Sequence, residues 1–210
     1  MECFIVSKFI LICPLIWCDR EDLKMSEYVL KDNNNYEIIN GKIYLMSRPN
    51  MNHIRISGNI FGIFQRFFTD KMCEVFSKPD VFLDEENNFI PDIVVLCDKN
   101  KDKYKGIYGA PDLVIEILSP STEKRDLSDK KEIYGKAGVK EYWIVDPQSK
   151  KITTYFLEMN NIYYYRTAKQ LEKMPEDEKK AIISSFQVGL FNDMEVDLSE
   201  VFKNVKIEND

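Results

Sequence analysis

A single histidine, His53, stands in the whole chain of 210 residues. That scarcity excludes a zinc centre assembled from histidine and cysteine. The 5 cysteines are odd in number, and no two of Cys3, Cys13, Cys18, Cys73 and Cys97 have the two-residue spacing of a redox or zinc motif. They read as free thiols in a reducing compartment, and the expected location is cytoplasmic. Cys73 and Cys97 lie in or beside apolar runs and are expected to act there as small hydrophobes. Glycine and proline number only 8 each, too few for a collagen-like or low-complexity chain. No repeat is visible, and no linker divides the sequence. Basic residues fall short as well: 29 against 35 acidic ones, a net charge of −6. A protein that coats polyphosphate shows the opposite balance, although a local basic rim around an acidic site remains compatible with it.

Long apolar runs are also missing. The one candidate, Phe4–Trp17, is interrupted by Lys8 and Pro14 and is too short to span a bilayer as a helix. It has neither the basic leader nor the small-residue cleavage site of a signal peptide. The reading adopted is translation from Met25, with residues 1–24 an N-terminal extension outside the fold and 25–210 a single domain; a signal or anchor is the alternative. With 44% hydrophobic and 30% charged residues, such a domain buries a core without disulfides or metals to staple it.

The chain then reads as a mixed α/β sheet with helices on its faces. Two strand-like runs flank Asn40-Gly41 within 33–47 and predict a hairpin. Apolar residues at 56, 60, 61, 63, 64, 67 and 68 predict a helix over His53–Asp70. Strands are expected at Cys73–Leu83, with Pro79 an irregularity, and at Phe89–Cys97. A charged loop follows at Lys99–Lys105. Pro111–Leu118 is a nearly continuous apolar run, as in a strand covered on both faces. A helix is expected over Thr122–Ala137, ended by Gly138. Antiparallel strands follow at Glu141–Asp146, Lys151–Leu157 and Asn161–Arg166. A charged stretch at 172–180, one more strand and a short amphipathic end at Leu198–Phe202 complete the chain.

Three polar residues stand where packing calls for apolar ones. Glu116 lies inside Leu113–Leu118, where a carboxylate is costly unless paired, protonated or bound to a cation. Asp92 heads the run Ile93–Cys97, directly after Pro91. If the two strands pair, both carboxylates open into one space, and two hard oxygens with water suffice for Mg²⁺. Lys130 interrupts the helical stripe Leu127, Ile133, Tyr134 and Ala137, and from there it can hold an attacking water and offset developing charge. Asp112 shares a face with Glu116 but sits four strand residues away, about 13 Å, so it is assigned to the strand start. Taken singly, Asp92 reads as a turn residue, Glu116 as a buried ion pair or a site, Lys130 as its partner, and His53 as a polar residue at a helix end. Together they point to a site.

The stretch from Tyr36 to Leu157 resembles the Uma2 family (DUF820), within the PD-(D/E)XK nuclease superfamily. The strings that carry the resemblance are YEIINGKIYLM (36–46), His53, IPDIVVLCD (90–98), APDLVIEILSPST (110–122) and RDLSDKKEIYGKAGVKEYWIVDP (125–147). Residues 1–24 show no counterpart. The resemblance implies a restriction-endonuclease-like fold with an antiparallel C-terminal hairpin extension. It also implies Mg²⁺-dependent hydrolysis of DNA phosphodiester bonds, with Mn²⁺ able to substitute. Asp92 matches the proline-aspartate and Glu116 the acid of the second motif. Both would hold the metal, with a backbone carbonyl near Ile117. The superfamily lysine two positions on is replaced by Leu118 here; as in Uma2 sequences, a lysine on the following helix, Lys130, stands in for it. Glu37 matches an early acidic position, as a supporting ligand or water-orienting group, and His53 an early histidine.

Rival readings are a nuclease for RNA or branched DNA, and a non-catalytic nucleic-acid or protein binding module that keeps the fold. A homodimer suits a double-strand cutter, with an aromatic hairpin at Tyr155 and Tyr163–Tyr165 as a hint of an interface. No organic cofactor and no membrane partner are expected.

Overall fold

The computed structural model describes residues 35–157, the backbone of 163–168, and 185–206. The expected extension 1–24, the Met25 boundary, the charged stretch 172–180 and the side chains of Tyr163–Tyr165 lie outside the described residues. Strands β1 (Tyr36–Ile39) and β2 (Lys42–Leu45) form the expected hairpin. Asn40 and Gly41 adopt φ of 49° and 73°, the left-handed pair that a two-residue turn requires. Helix α1 (Met51–Phe68) starts at Asn50, whose side chain accepts from the His53 N–H. It buries Ile56, Ile60, Ile63, Phe64 and Phe68, the apolar stripe seen in the sequence.

The next two expected strands each divide at a proline. Cys73–Leu83 becomes β3 (Glu74–Ser77) and β4 (Val81–Phe82); Phe89–Cys97 becomes β5 (Asn88–Phe89) and β6 (Ile93–Leu96). β3 and β6 pair in one sheet while β4 and β5 pair in another, so the chain changes sheet at Pro79 and again at Pro91. Proline offers no N–H to a ladder, and Lys78 with φ of 53° turns the backbone out of the strand. The expected charged loop contains a 3₁₀ turn (Lys99–Lys101) and β7 (Asp102–Lys103), followed by β8 (Gly106–Tyr108).

Strand β9 (Leu113–Ile117) is buried throughout. The helix after it is interrupted: α2 (Glu123–Arg125), a π-turn (Asp126–Lys130), then α3 (Lys131–Ala137), closed by Gly138 at φ 94°. Strands β10 (Glu141–Asp146), β11 (Lys151–Leu157) and β12 (Tyr163–Ala168) follow, then the hairpin β13 (Ser185–Gln187) and β14 (Glu195–Asp197), and α4 (Leu198–Val201).

The central sheet has the order β12-β11-β10-β9-β6-β3, parallel only between β9 and β10. The second has the order β2-β1-β5-β4-β8-β7. Alternation along the central strands divides the core in two. Ile93, Val95, Ile115 and Trp143 pack with α1 and the C-terminal segment, whereas Val94, Val114, Tyr142 and Ile144 pack with Ile39, Phe89 and Tyr134 from the second sheet and α3. Glu141, fully buried, accepts from Trp143 Nε1 at 2.6 Å, Leu190 N at 2.9 Å and Gly189 N at 3.3 Å, and so ties the C-terminal segment to β10. Cys73 and Cys97 are bonded to each other. The expectation of free thiols fails for this pair, because the β3–β6 register, with Glu74 opposite Leu96, brings the two flanking cysteines face to face.

A buried acidic site with one lysine

The pairing of β6 with β9, Ile93 opposite Ile115, places Asp92 and Glu116 opposite one another one step further along. By alternation both lie on the sheet face that carries Val94 and Val114, Asp92 at the edge where the first turn of α1 meets it. Asp92 is 5% exposed and Glu116 4%. Pro91 and the change of sheet put Asp92 where β6 begins. Its Oδ2 accepts from Ile117 N at 2.9 Å and lies 2.9 Å from His53 Nε2, an ion-pair contact. Oδ1 faces Lys78 Nζ at 3.8 Å. Both hydrogen bonds to Glu116 end on Oε1, from Lys130 Nζ at 3.0 Å and Tyr134 OH at 3.1 Å.

Glu37 reaches the same place from β1, where alternation turns it inward beside Ile39. Its Oε1 accepts from Lys130 Nζ at 2.8 Å and Ile90 N at 3.0 Å. Asp126, one turn before the lysine, comes within 3.3 Å of Nζ through Oδ1, an ionic contact without a hydrogen bond. Sequence reasoning passed over this residue. It expected Leu127 on the inner stripe, but the wider π-turn swings Leu127 outward to 39% exposure and puts Asp126 inside. The available signal was an acid four positions before a core-facing lysine. Asp112 stays out of the site, as expected, with Oδ2 accepting from Cys97 N at 2.8 Å and Oδ1 from Lys140 Nζ at 2.7 Å.

Three buried carboxylates, Glu37, Glu116 and Asp126, thus converge on one buried ammonium, with Asp92 beside them. Burial, and the acids Asp126, Asp92 and Glu37 around it, push Glu116 well above the usual carboxylate range despite Lys130. Burial likewise raises Asp126 against the pull of Lys130. Burial alone would lower Lys130; Glu116, Glu37 and Asp126 outweigh it and raise the lysine above its ordinary value. Tyr134 is held protonated, by burial first and by Glu116 next. Such an excess of buried negative charge suits a cation. The acids open, with Arg48, Lys78 and Ser119, onto a cleft of about 210 Å³. Among the described residues no three His, Cys, Asp or Glu stand together in metal-binding geometry. Asp92 and Glu116, opposite one another at the cleft, are two hard oxygen donors, fewer than a full protein cage and the number that a cation keeping most of its water could use. Among the described residues no helix is long and apolar enough to cross a membrane.

Comparison with known proteins gives the family and the fold. The model of the Uma2 family, described as "Putative restriction endonuclease", matches residues 20–187. The "Uncharacterized protein slr1290" of Synechocystis sp. is 30% identical over 129 residues, 60% of this chain and 67% of that protein. A crystal structure described as that of "a putative nuclease belonging to DUF820" from Anabaena variabilis superposes with a TM-score of 0.61 at 17% identity. That likeness covers 85% of this chain and 96% of the other, and it shows a shared fold.

Proposed function

From the Uma2 family, to which the chain belongs, we propose an endonuclease that hydrolyses DNA phosphodiester bonds with one Mg²⁺, or Mn²⁺ in its place. The observation that carries the reading is the opposition of Asp92 and Glu116 across β6 and β9, in a cleft shared with Lys130. These two acids would hold the metal, with a backbone carbonyl near Ile117. When bound, the ion makes water a stronger nucleophile and polarises the scissile phosphate.

The remaining residues position and neutralise. Lys130 holds the attacking water from Nζ and offsets the charge that develops as the P–O bond breaks. Glu37 and Asp126 aim that ammonium, since both lie within ion-pair distance of it. His53 fixes the orientation of the Asp92 carboxylate, and Tyr134 does the same for Glu116. Partners of this kind tune metal ligands from outside the coordination shell.

The test is cleavage of supercoiled plasmid and of a single-stranded oligonucleotide in Mg²⁺, Mn²⁺ or EDTA, for wild type and Asp92→Ala. Metal-dependent cleavage that vanishes in the variant is expected. Folded wild-type protein that cuts neither substrate would sink the proposal and favour a binding module on the same fold.

A further inference from the structure

A second and larger hollow, about 600 Å³, adjoins the acidic cleft. Asn50, Ser119 and Pro120 line both and form the boundary between them. Its size lies in the range of sites for small organic groups such as a nucleotide. Two cations line it, Arg55 from α1 and Lys206 from the C-terminal segment. Both are brought there by one residue. The Asn52 side chain accepts from Lys206 N at 3.1 Å and from Arg55 Nη1 at 3.4 Å, and donates to Lys206 O at 2.5 Å. Asn59 ties the same segment to α1 through the carbonyls of Val201 and Lys203, at 3.0 and 3.2 Å.

Among the described residues neither Arg55 nor Lys206 takes part in an ion pair, whereas Arg66, Lys71 and Lys136 each do. Neither cation is held by an acid among the described residues within ion-pair distance, so both are free to take a bound anion. The nearby Asp146 keeps its charge but is turned to its own loop, where its carboxylate accepts from Gln148 N, Ser149 N and the Ser149 hydroxyl. Glu123, the other acid of the hollow, stands in the first turn of α2, where the positive helix end favours it. Met51, Leu118, Pro120 and Pro147 supply apolar surface on which a sugar or base can lie.

We infer that this hollow is a substrate subsite, holding the nucleotide next to the scissile phosphate of the cleaved DNA strand. Arg55 and Lys206 take its phosphate oxygens, and Asn52 positions both. The inference rests on the nuclease reading and deepens it, since it gives the strand two cations outside any ion pair among the described residues, next to the cleft.

Binding of a fluorescent single-stranded DNA 15-mer, followed by anisotropy across a salt series in EDTA, tests the subsite without cleavage. The Arg55→Ala/Lys206→Ala variant is expected to bind several-fold more weakly. Its plot of log affinity against log salt should be shallower by about 0.7–1.4, the loss of one or two phosphate contacts. Asn52→Ala should move both quantities the same way. A control, Lys103→Ala/Lys136→Ala, removes the same charge elsewhere and should change neither. Equal weakening by both double variants, or none by the first, overturns the subsite. Wild-type protein that does not bind the oligonucleotide overturns it too. The metal site is judged separately, by Mn²⁺ calorimetry on wild type and Asp92→Ala.

Discussion

Replacing Lys130 with methionine keeps most of the buried stem and removes the charge that Glu37, Glu116 and Asp126 share. Nζ lies 2.8, 3.0 and 3.3 Å from those three carboxylates, and the lysine side chain is 3% exposed. Removing one partner of a buried pair costs about 3–5 kcal/mol, because the other charge stays buried and uncompensated. The fold can limit that cost by keeping one proton more than wild type does. Neutralising a carboxylate of ordinary acidity, near 4.3, costs about 1.4 kcal/mol for each pH unit above that value. The limit is then about 3.7 kcal/mol at pH 7 and about 1 kcal/mol at pH 5. An acid protonated in the folded chain and ionised in the unfolded one makes the fold less stable as pH rises. The deficit of Lys130→Met relative to wild type should therefore be largest above neutrality and shrink as pH falls toward 5. Urea unfolding of both proteins at pH 5, 6, 7 and 8 measures it. A deficit below about 1 kcal/mol at pH 8, or one that grows on acidification, would refute the view of Lys130 as the neutralising centre.

Loss of the imidazole in His53→Ala frees the Asp92 carboxylate and should weaken Mn²⁺ binding about 10–100-fold by calorimetry, with unchanged affinity ruling out the supporting role. Glu141→Ala strands the N–H groups of Trp143, Gly189 and Leu190 and should cost about 3 kcal/mol or more in urea unfolding. Since burial raises the Glu141 pKa, this acid makes wild type less stable as pH rises through its titration, and Glu141→Gln should flatten that part of the pH profile. Reduction of the Cys73–Cys97 bond, 24 residues apart, should lower stability by about 3 kcal/mol; equal urea midpoints with and without reductant would contradict the bond.

Much of this site was legible because it breaks the packing rules. Glu116 in an apolar run and Lys130 on an apolar stripe are each too costly to be accidental, and Asp92 follows from the strand that pairs with Glu116. What stayed hidden depends on backbone geometry that residue types do not encode locally. Alternation shows that Glu37 faces inward, but not that β1 lies over the β9 end of the other sheet. A helical period of 3.6 assigns Leu127 to the core, and a single wider turn reverses Leu127 and Asp126. The two strands that read as continuous divide at Pro79 and Pro91, where the chain passes to the other sheet, and the bond between Cys73 and Cys97 depends on the β3–β6 register.

The π-turn has a consequence for how the helix tolerates change. Its five residues set the rotational phase of α2 apart from that of α3. The inner face of α3, Ile133 and Tyr134, is fixed by the second sheet, while Ser119–Arg125 takes its orientation from the rim of the cleft. Deleting one residue at Leu127–Asp129 would return the segment to an α-helix and turn Asp126 away by about 100°. Ile133 and Tyr134 would stay in place. The buried half of the helix and the half that borders the cleft are thus separately adjustable, joined at the one turn that carries both Asp126 and the lysine it faces.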